Sequence, residues 1–241
     1  MTNLTSEVFL GLFSRGIPKL RRASFRNKGD YVILVHGLLV GAFSMQKIST
    51  CLDVHGFQVL NFKCSMKKYS IPVIASKFLH NFVIRHCLDK TKKIHFVTHS
   101  IGGIVVRDYI QKHNLINVSR VVMLAPPNNG SEMYTKFNKP LFQKWFLGIA
   151  GKQVANKDYL DTLHQKVGFD LGVIAANKSM NPFSFLTFNR ENDGVVSVSS
   201  TKIIGMKSHV VIPTTHYFML FNNEVIRQIL TFLSRGKFDK G

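Results

Sequence analysis

The chain has 241 residues, 45% hydrophobic and 19% charged, which supplies the apolar material for one buried core and excludes a largely disordered polymer. Lys and Arg outnumber Asp and Glu by 32 to 13, a formal charge of +19, a field that either draws anionic membrane surfaces, nucleic acids or negatively charged substrates or is simply a solvated basic surface. Cys51, Cys64 and Cys87 are odd in number and lack C-x-x-C spacing, which speaks against a disulfide framework or a zinc site and predicts buried, reduced thiols.

Residues 1–29 read as a basic N-terminal arm carrying Arg15, Lys19, Arg21, Arg22, Arg26 and Lys28, with a short amphipathic helix around Glu7 to Phe13. The apolar run from Val8 to Phe13 lacks a basic leader and a small-residue cleavage site, so no signal peptide is expected. The uncharged stretch Tyr31 to Gln46 is shorter than the ~20 residues that span a bilayer. These features predict a cytoplasmic protein able to sit peripherally on an anionic membrane surface.

From residue 30 strands and helices alternate. Tyr31–Val35 is a continuous apolar run suited to a strand buried on both faces, and Phe57–Phe62 follows as the second strand. A helix is predicted over Val73–Leu88, where Ile74, Phe78, Phe82 and His86 recur every four residues and Pro72 fits the opening turn. Strand Ile94–Val97, a helix after Gly103 and strand Val121–Leu124 come next, the last ended by Pro126 and Pro127. The stretch Ser131–Phe169 has no convincing strand and reads as a helical insertion. Strands Leu171–Ala175 and Val210–Ile212 bracket Asp193. The final helix starts near Asn223 or Glu224, carries Val225, Ile226, Ile229, Leu230 and Leu233 on one face, and stops at Gly236. This order predicts an α/β domain over 30–241, with a mostly parallel central sheet, helices on both faces and a helical cap inserted at about 131–169.

The segment Val97-Thr-His-Ser-Ile-Gly-Gly103 lies between a strand and a helix. A nucleophilic serine exposed on a sharp strand-to-helix turn needs small residues beside it, and Gly102 and Gly103 meet that need, while Thr98 stands where a G-x-S-x-G pattern has its first glycine. A serine there can also serve simply as a helix N-cap. Leu34-Val-His-Gly-Leu-Leu39 closes the first strand, and His36 within it is expected to make a structural hydrogen bond. A hydroxyl nucleophile needs a base and the base an orienting acid. His216 follows the last strand and emerges on the same sheet edge as Ser100, whereas its competitor His209 reads as preceding that strand. Asp193 in Asn192-Asp-Gly-Val-Val-Ser197 is the candidate acid, with Glu191 its local competitor.

Together with Leu-Ala-Pro-Pro-Asn-Asn-Gly-Ser at 124–131, these segments resemble the bacterial lipase and esterase branch of the α/β-hydrolase superfamily, and more distantly the lipase-like deacylases of glycolipid anchors; the likeness covers roughly residues 30 to 235. The resemblance implies an α/β-hydrolase fold in which Ser100 is the nucleophile, His216 the base and Asp193 its orienting acid. It also implies that the backbone N–H groups of Leu38 and Ile101 form an oxyanion hole, and that no metal or organic cofactor takes part. The expected activity is cleavage of a carboxylic, lipid-like ester through an acyl-enzyme.

Two enzyme variants on the same triad, thioesterase and acyltransferase, remain open, as does a hydrolase-fold binding module that has lost activity, a reading favoured by Thr98 and by the basic excess. A nucleic-acid binder has the charge but no recognised motif, and none is expected. Met133, Tyr134, Phe137, Leu141, Phe142, Trp145, Phe146, Leu147 and Ile149 make the insertion densely apolar, suited to receiving an acyl chain or simply to helix packing.

Overall fold

In the computed structural model, Tyr31–Val35 forms β1 with every residue buried, as its unbroken apolar run requires. The structure describes residues 29–38, 40–113, 117–136, 147–163, 167–180 and 190–239. The expected arm over 1–28 and the insertion residues Phe137, Leu141, Phe142, Trp145 and Phe146 lie outside them.

After β1 a short 3-10 turn, Ala42–Met45, leads into α1 (Gln46–Val54) and β2 (Gln58–Phe62). The helix predicted over Val73–Leu88 starts earlier and is composite: α2 (Ile71–Val73), a π-helical stretch Ile74–Leu79, and α3 (His80–His86). Then come β3 (Ile94–His99), α4 (Ile101–His113) and β4 (Val118–Leu124). The insertion supplies α5 (Glu132–Lys136), α6 (Gly148–Ala155) and α7 (Lys157–Asp161). β5 (Asp170–Ala176), β6 (Ser208–Ile212) and α8 (Asn223–Arg235) complete the fold.

The six strands pair in the order β2-β1-β3-β4-β5-β6, all parallel, where the sequence predicted a mostly parallel sheet. Alternation along β1 divides the core. Tyr31, Ile33 and Val35 join the layer that includes Ile74, Leu79, Ile104 and the insertion's Tyr134, Leu147 and Val154, while Val32 and Leu34 join Ile48 and Leu52 of α1 and the apolar face of α8. Five buried side chains of α8, Val225, Ile226, Ile229, Leu230 and Leu233, each contribute roughly 1.5–3 kcal/mol toward holding it on the sheet. Asn222 caps its start by accepting from the N–H groups of Glu224 and Val225, and Gly236 ends it at φ +71°, a left-handed turn that favours glycine.

Strand order reverses direction at β1, which has β2 on one side and the rest of the sheet on the other. In open parallel sheets that reversal leaves a crevice beyond the carboxyl ends of the central strands. The loop after β1 and the turn after β3 therefore converge there, which puts His36, Gly37, Leu38 and Ser100 at one edge.

Two expectations need correction. His209 lies within β6, not before it, because the strand begins at Ser208. Only Cys87 is buried; Cys51 and Cys64 are half-buried, on the edge helix α1 and in the loop after β2, and all three are free thiols.

Candidate active site

Ser100 occupies the single residue between β3 and α4, with φ +53°. A left-handed conformation costs a non-glycine residue roughly 1–2 kcal/mol. An N-cap residue instead has extended backbone, so this geometry is that of a forced turn rather than of a cap. The strain is held by a hydrogen bond from Ser100 N–H to Leu124 O at 2.8 Å and by close packing around the turn. A Cβ on Gly102 would lie 2.5 Å from the Val35 carbonyl oxygen and 2.9 Å from that of His36, backbone atoms that have no room to yield. One on Gly103 would come within 3.2 Å of Met123 Sδ and Pro126 Cβ. The two glycines let α4 start directly against β1. Thr98 is fully buried in the same packing, its Oγ1 3.3 Å from that Gly103 position, so the threonine is accommodated without displacing the turn.

The loop after β1 runs across the serine. A Cβ on Gly37 would stand 2.8 Å from His99 Nδ1 and 3.2 Å from Ser100 Cβ, so the Gly37–Leu38 backbone passes immediately beside Ser100. Ile101 begins α4, where the first N–H groups lack intrahelical partners. Of the two backbone groups expected to donate to an oxyanion, Ile101 thus follows the serine directly in sequence and the Gly37–Leu38 segment passes beside it in space. His36 has the structural role expected of it: Nδ1 donates to Gly37 O at 2.8 Å, leaving Nε2 to accept from Cys64 N–H at 3.5 Å.

Asp193 and His216 meet in a buried hydrogen bond, Nδ1 donating to Oδ2 at 2.7 Å. The carboxylate cannot drift. Its Oδ1 accepts from the N–H groups of Val195 at 2.9 Å and Val196 at 2.8 Å, an Asp-Gly turn closed on itself. That turn is tied to the exit of β4: Ser131 Oγ donates to Val195 O at 2.6 Å, and Asn128 Nδ2 donates to Thr201 O at 2.8 Å while Arg107 donates to Asn128. The 124–131 motif therefore serves to fix the loop that carries the acid. With Asp193 on Nδ1, His216 keeps Nε2 free for a second partner.

The competitors are engaged elsewhere. Glu191 accepts from Asn177 at 3.1 Å, on the surface. His209 Nε2 contacts Thr201 Oγ1 at 3.0 Å near the start of β6, the end opposite the loop bearing His216, and burial followed by the nearby Lys202 charge pushes its pKa down to about 4.

Two residues were absent from the sequence-based set of candidates. His99 donates from Nε2 to the backbone carbonyl of His216 at 2.9 Å and packs its ring 4.8 Å from the His216 ring. Burial, then the neighbouring His216, holds its pKa well below the usual histidine value, so it stays neutral. Tyr134, counted in the sequence only as part of the apolar insertion, is buried beside Ser100, and its phenol is pushed upward by burial, then by Tyr217 and Asp193, with the Ser100 side chain opposing. Its backbone N–H is held by Ser131 Oγ at 3.3 Å. A Ser-x-x-Tyr spacing one turn after β4 was the available signal for Tyr134. For His99 the signal was its position directly before the serine.

The triad candidates are closed over, with Ser100 2% and His216 2% exposed. Above them α6 packs so that a Cβ on Gly151 would approach Leu38 Cδ2 to 3.0 Å. α6 of the insertion thus packs against the loop after β1. Leu147 is buried in the core and Ile149 faces outward at 48% exposure, so its apolar residues divide between packing and surface. Among the described residues no cluster of three His, Cys, Asp or Glu could hold a metal, and no helix is long and apolar enough to cross a membrane.

Comparison with known proteins agrees with this fold. The family model described as palmitoyl protein thioesterase matches residues 31–169, more than half of the chain and inclusive of β1, Ser100 and the whole insertion. No curated protein matches it. Among solved structures, a metagenomic carboxyl esterase aligns with TM-score 0.66 at 19% identity, covering 83% of this chain and 68% of its own. A lipase of Bacillus licheniformis in its mature form aligns with TM-score 0.62 at 15% identity, covering 90% and 96%. Phospholipase PlaB from Legionella pneumophila, in complex with thio-NAD, gives 0.59 at 19% identity over 71% of this chain, which spans only 44% of PlaB. At these identities the structural likeness is one of fold, an α/β-hydrolase.

Proposed function

The chain belongs to the palmitoyl protein thioesterase family, with an α/β-hydrolase fold, and from that premise we propose that it is a serine acyl hydrolase cleaving lipid-like carboxylic esters or thioesters. The observation that carries this reading is the buried Asp193–His216 pair, linked through His99 to the strained turn at Ser100. Ser100 Oγ attacks the acyl carbonyl carbon as its proton passes to His216 Nε2. Asp193 holds the imidazole tautomer and stabilises the imidazolium. The N–H groups of Leu38 and Ile101 receive the carbonyl oxygen as it gains charge. The tetrahedral intermediate collapses, the leaving alkoxide or thiolate takes the proton from His216, and an acyl-Ser100 ester remains. Water, deprotonated by His216, then releases the carboxylic acid and restores the serine.

Tyr134 bears on access. It is buried beside an almost fully buried Ser100, so on this reading the segment carrying it moves to admit an acyl group.

Fluorophosphonate labelling together with hydrolysis of acyl esters and S-acyl thioesters graded by chain length tests the proposal. Labelling confined to Ser100, with turnover rising with acyl length in one of the two series, is expected. A folded protein whose Ser100 is not labelled would leave a binding module as the better account.

Association with an anionic membrane surface is part of the same reading. It is supported by the +19 charge and by exposed Phe43, Phe218 and Phe221 on the segments following Leu38 and His216. Cosedimentation with anionic but not neutral vesicles, weakening with salt, is the expected result.

A further inference from the structure

Away from the serine, the turn after β2 and the outer side of the composite helix enclose an open groove of about 450 Å³. Its apolar wall is aromatic: Phe62 meets Phe82 edge to face at 5.4 Å, and Tyr69 meets Phe78 at 4.7 Å. Lys63 and Arg85 line the same groove, together with the polar Asn81 and His86. The local sequence sharpens the charge. From Val54 to Leu88 there are five Lys and Arg residues and no Asp or Glu. Neither Lys63 nor Arg85 has an ion-pair partner among the described residues, in contrast to Arg227, which is matched by Glu224 and Asp239.

A structural patch of basic residues would be expected to be laced with acids or spread over a polar face. Here two cations with no ion-pair partner border a concave aromatic wall. An apolar body with one anionic end satisfies both, since the aromatic rings are removed from water by the body while guanidinium and ammonium meet the anion. We propose that this groove binds a phosphate monoester, or a similarly compact dianion, carried on an apolar body. Arg85 and Lys63 hold the anion while Phe78 and Tyr69 hold the body. The site is separate from Ser100 but not mechanically isolated. Cys64, in its wall, donates to His36 beside Gly37, and Lys67 O in the same loop accepts from Ile149 N–H at 3.0 Å at the start of α6. A ligand here would therefore rest on the loop that braces both the Gly37–Leu38 segment and the insertion.

The test is calorimetric titration of the full chain and requires no catalysis. Probes are phenyl phosphate, an ether-linked and therefore non-hydrolysable dihexyl phosphatidic acid below its micellar concentration, inorganic phosphate and neutral octyl glucoside. At least one of the first two should bind ten-fold or more tighter than the last two. Preference for phenyl phosphate would identify a soluble ligand, and preference for the phosphatidate a lipid headgroup. Arg85→Glu and Lys63→Glu, both at exposed positions, should each weaken that binding at least ten-fold with unchanged melting temperature. Lys237→Glu, an equal charge change at a distant exposed site, should leave it within two-fold. Equal binding by wild type and Arg85→Glu would overturn the site, as would equal weakening by Lys237→Glu, which would reduce the effect to net charge.

Discussion

His99 and His216 are joined by a hydrogen bond from the His99 ring to the His216 backbone carbonyl, so the residue preceding the candidate nucleophile holds the candidate base in place. The bond needs Nε2–H of a neutral ring, and burial keeps His99 neutral. His99→Phe should fill the space yet leave the carbonyl unpaired, which costs about 1–3 kcal/mol. We expect kcat to fall by ten-fold or more with KM little changed, and His99→Gln, which retains a donor, to recover part of the loss. Equal kcat values for His99→Phe and wild type would show that the contact does not position His216.

Ser100→Ala should abolish acyl turnover, by at least ~10⁴-fold, with the fold intact. Ser100→Gly should be equally inactive but more stable than the alanine variant, by on the order of 1 kcal/mol, because glycine carries no penalty at φ +53°. Thermal melts of the two inactive proteins read the difference without any contribution from catalysis. Identical melting temperatures would mean the turn is not strained in solution.

For the rest of the triad the ranking is the test. Asp193→Asn preserves shape but can donate toward Nδ1, stabilising the wrong tautomer, and a loss of up to ~10⁴-fold in kcat is expected. His216→Ala should be as damaging as Ser100→Ala. Glu191→Gln and His209→Ala should retain most activity, because Glu191 is engaged with Asn177 and His209 with Thr201. Greater damage from His209→Ala than from His216→Ala would reverse the assignment of the base.

Much of this was legible in the chain because the signals were local. β1 is buried on both faces, and its apolar run says so directly; Gly102 stands where only glycine fits between α4 and β1; Gly236 stops α8 at a left-handed turn. Features that depend on side chains meeting across the fold were not legible. Tyr134 looks like one more core aromatic until α5 is placed over Ser100, and His99 is a strand residue until the loop after β6 brings His216 to it. The π-helical stretch Ile74–Leu79 also escaped, since apolar residues spaced by four fit an α-helix equally well. His209 was read one element too early because Ser208 and His209 are polar enough to pass for loop, although pairing with β5 draws both into the strand.

Acid should destabilise the protein in two separable stages. His99 and His209 both have folded-state pKa values below the ordinary 6.5, His209 at about 4, chiefly because burial disfavours the charged ring. Below pH 6.5 the unfolded chain binds protons that these folded histidines refuse, so the unfolded state holds more protons and stability falls as pH decreases. For His209 the fall runs from about 6.5 to about 4 and then levels off; for His99 it continues as long as the buried ring resists protonation. Glu224 acts later, because its pKa is lowered by Arg227 and its contribution is lost only as pH drops below the ordinary 4.5. One pKa unit corresponds to ~1.4 kcal/mol, and His209 is only partly buried, so screening reduces its share to on the order of 1–2 kcal/mol. In a domain of this size that is a few degrees of melting temperature. His209→Gln removes the titration while keeping a polar partner for Thr201. Its melting temperature should therefore decline less than that of wild type between pH 6.5 and 4, and the two curves should run parallel below that. Parallel curves across the whole range would show that His209 titrates normally in the folded protein and that the acid response originates elsewhere.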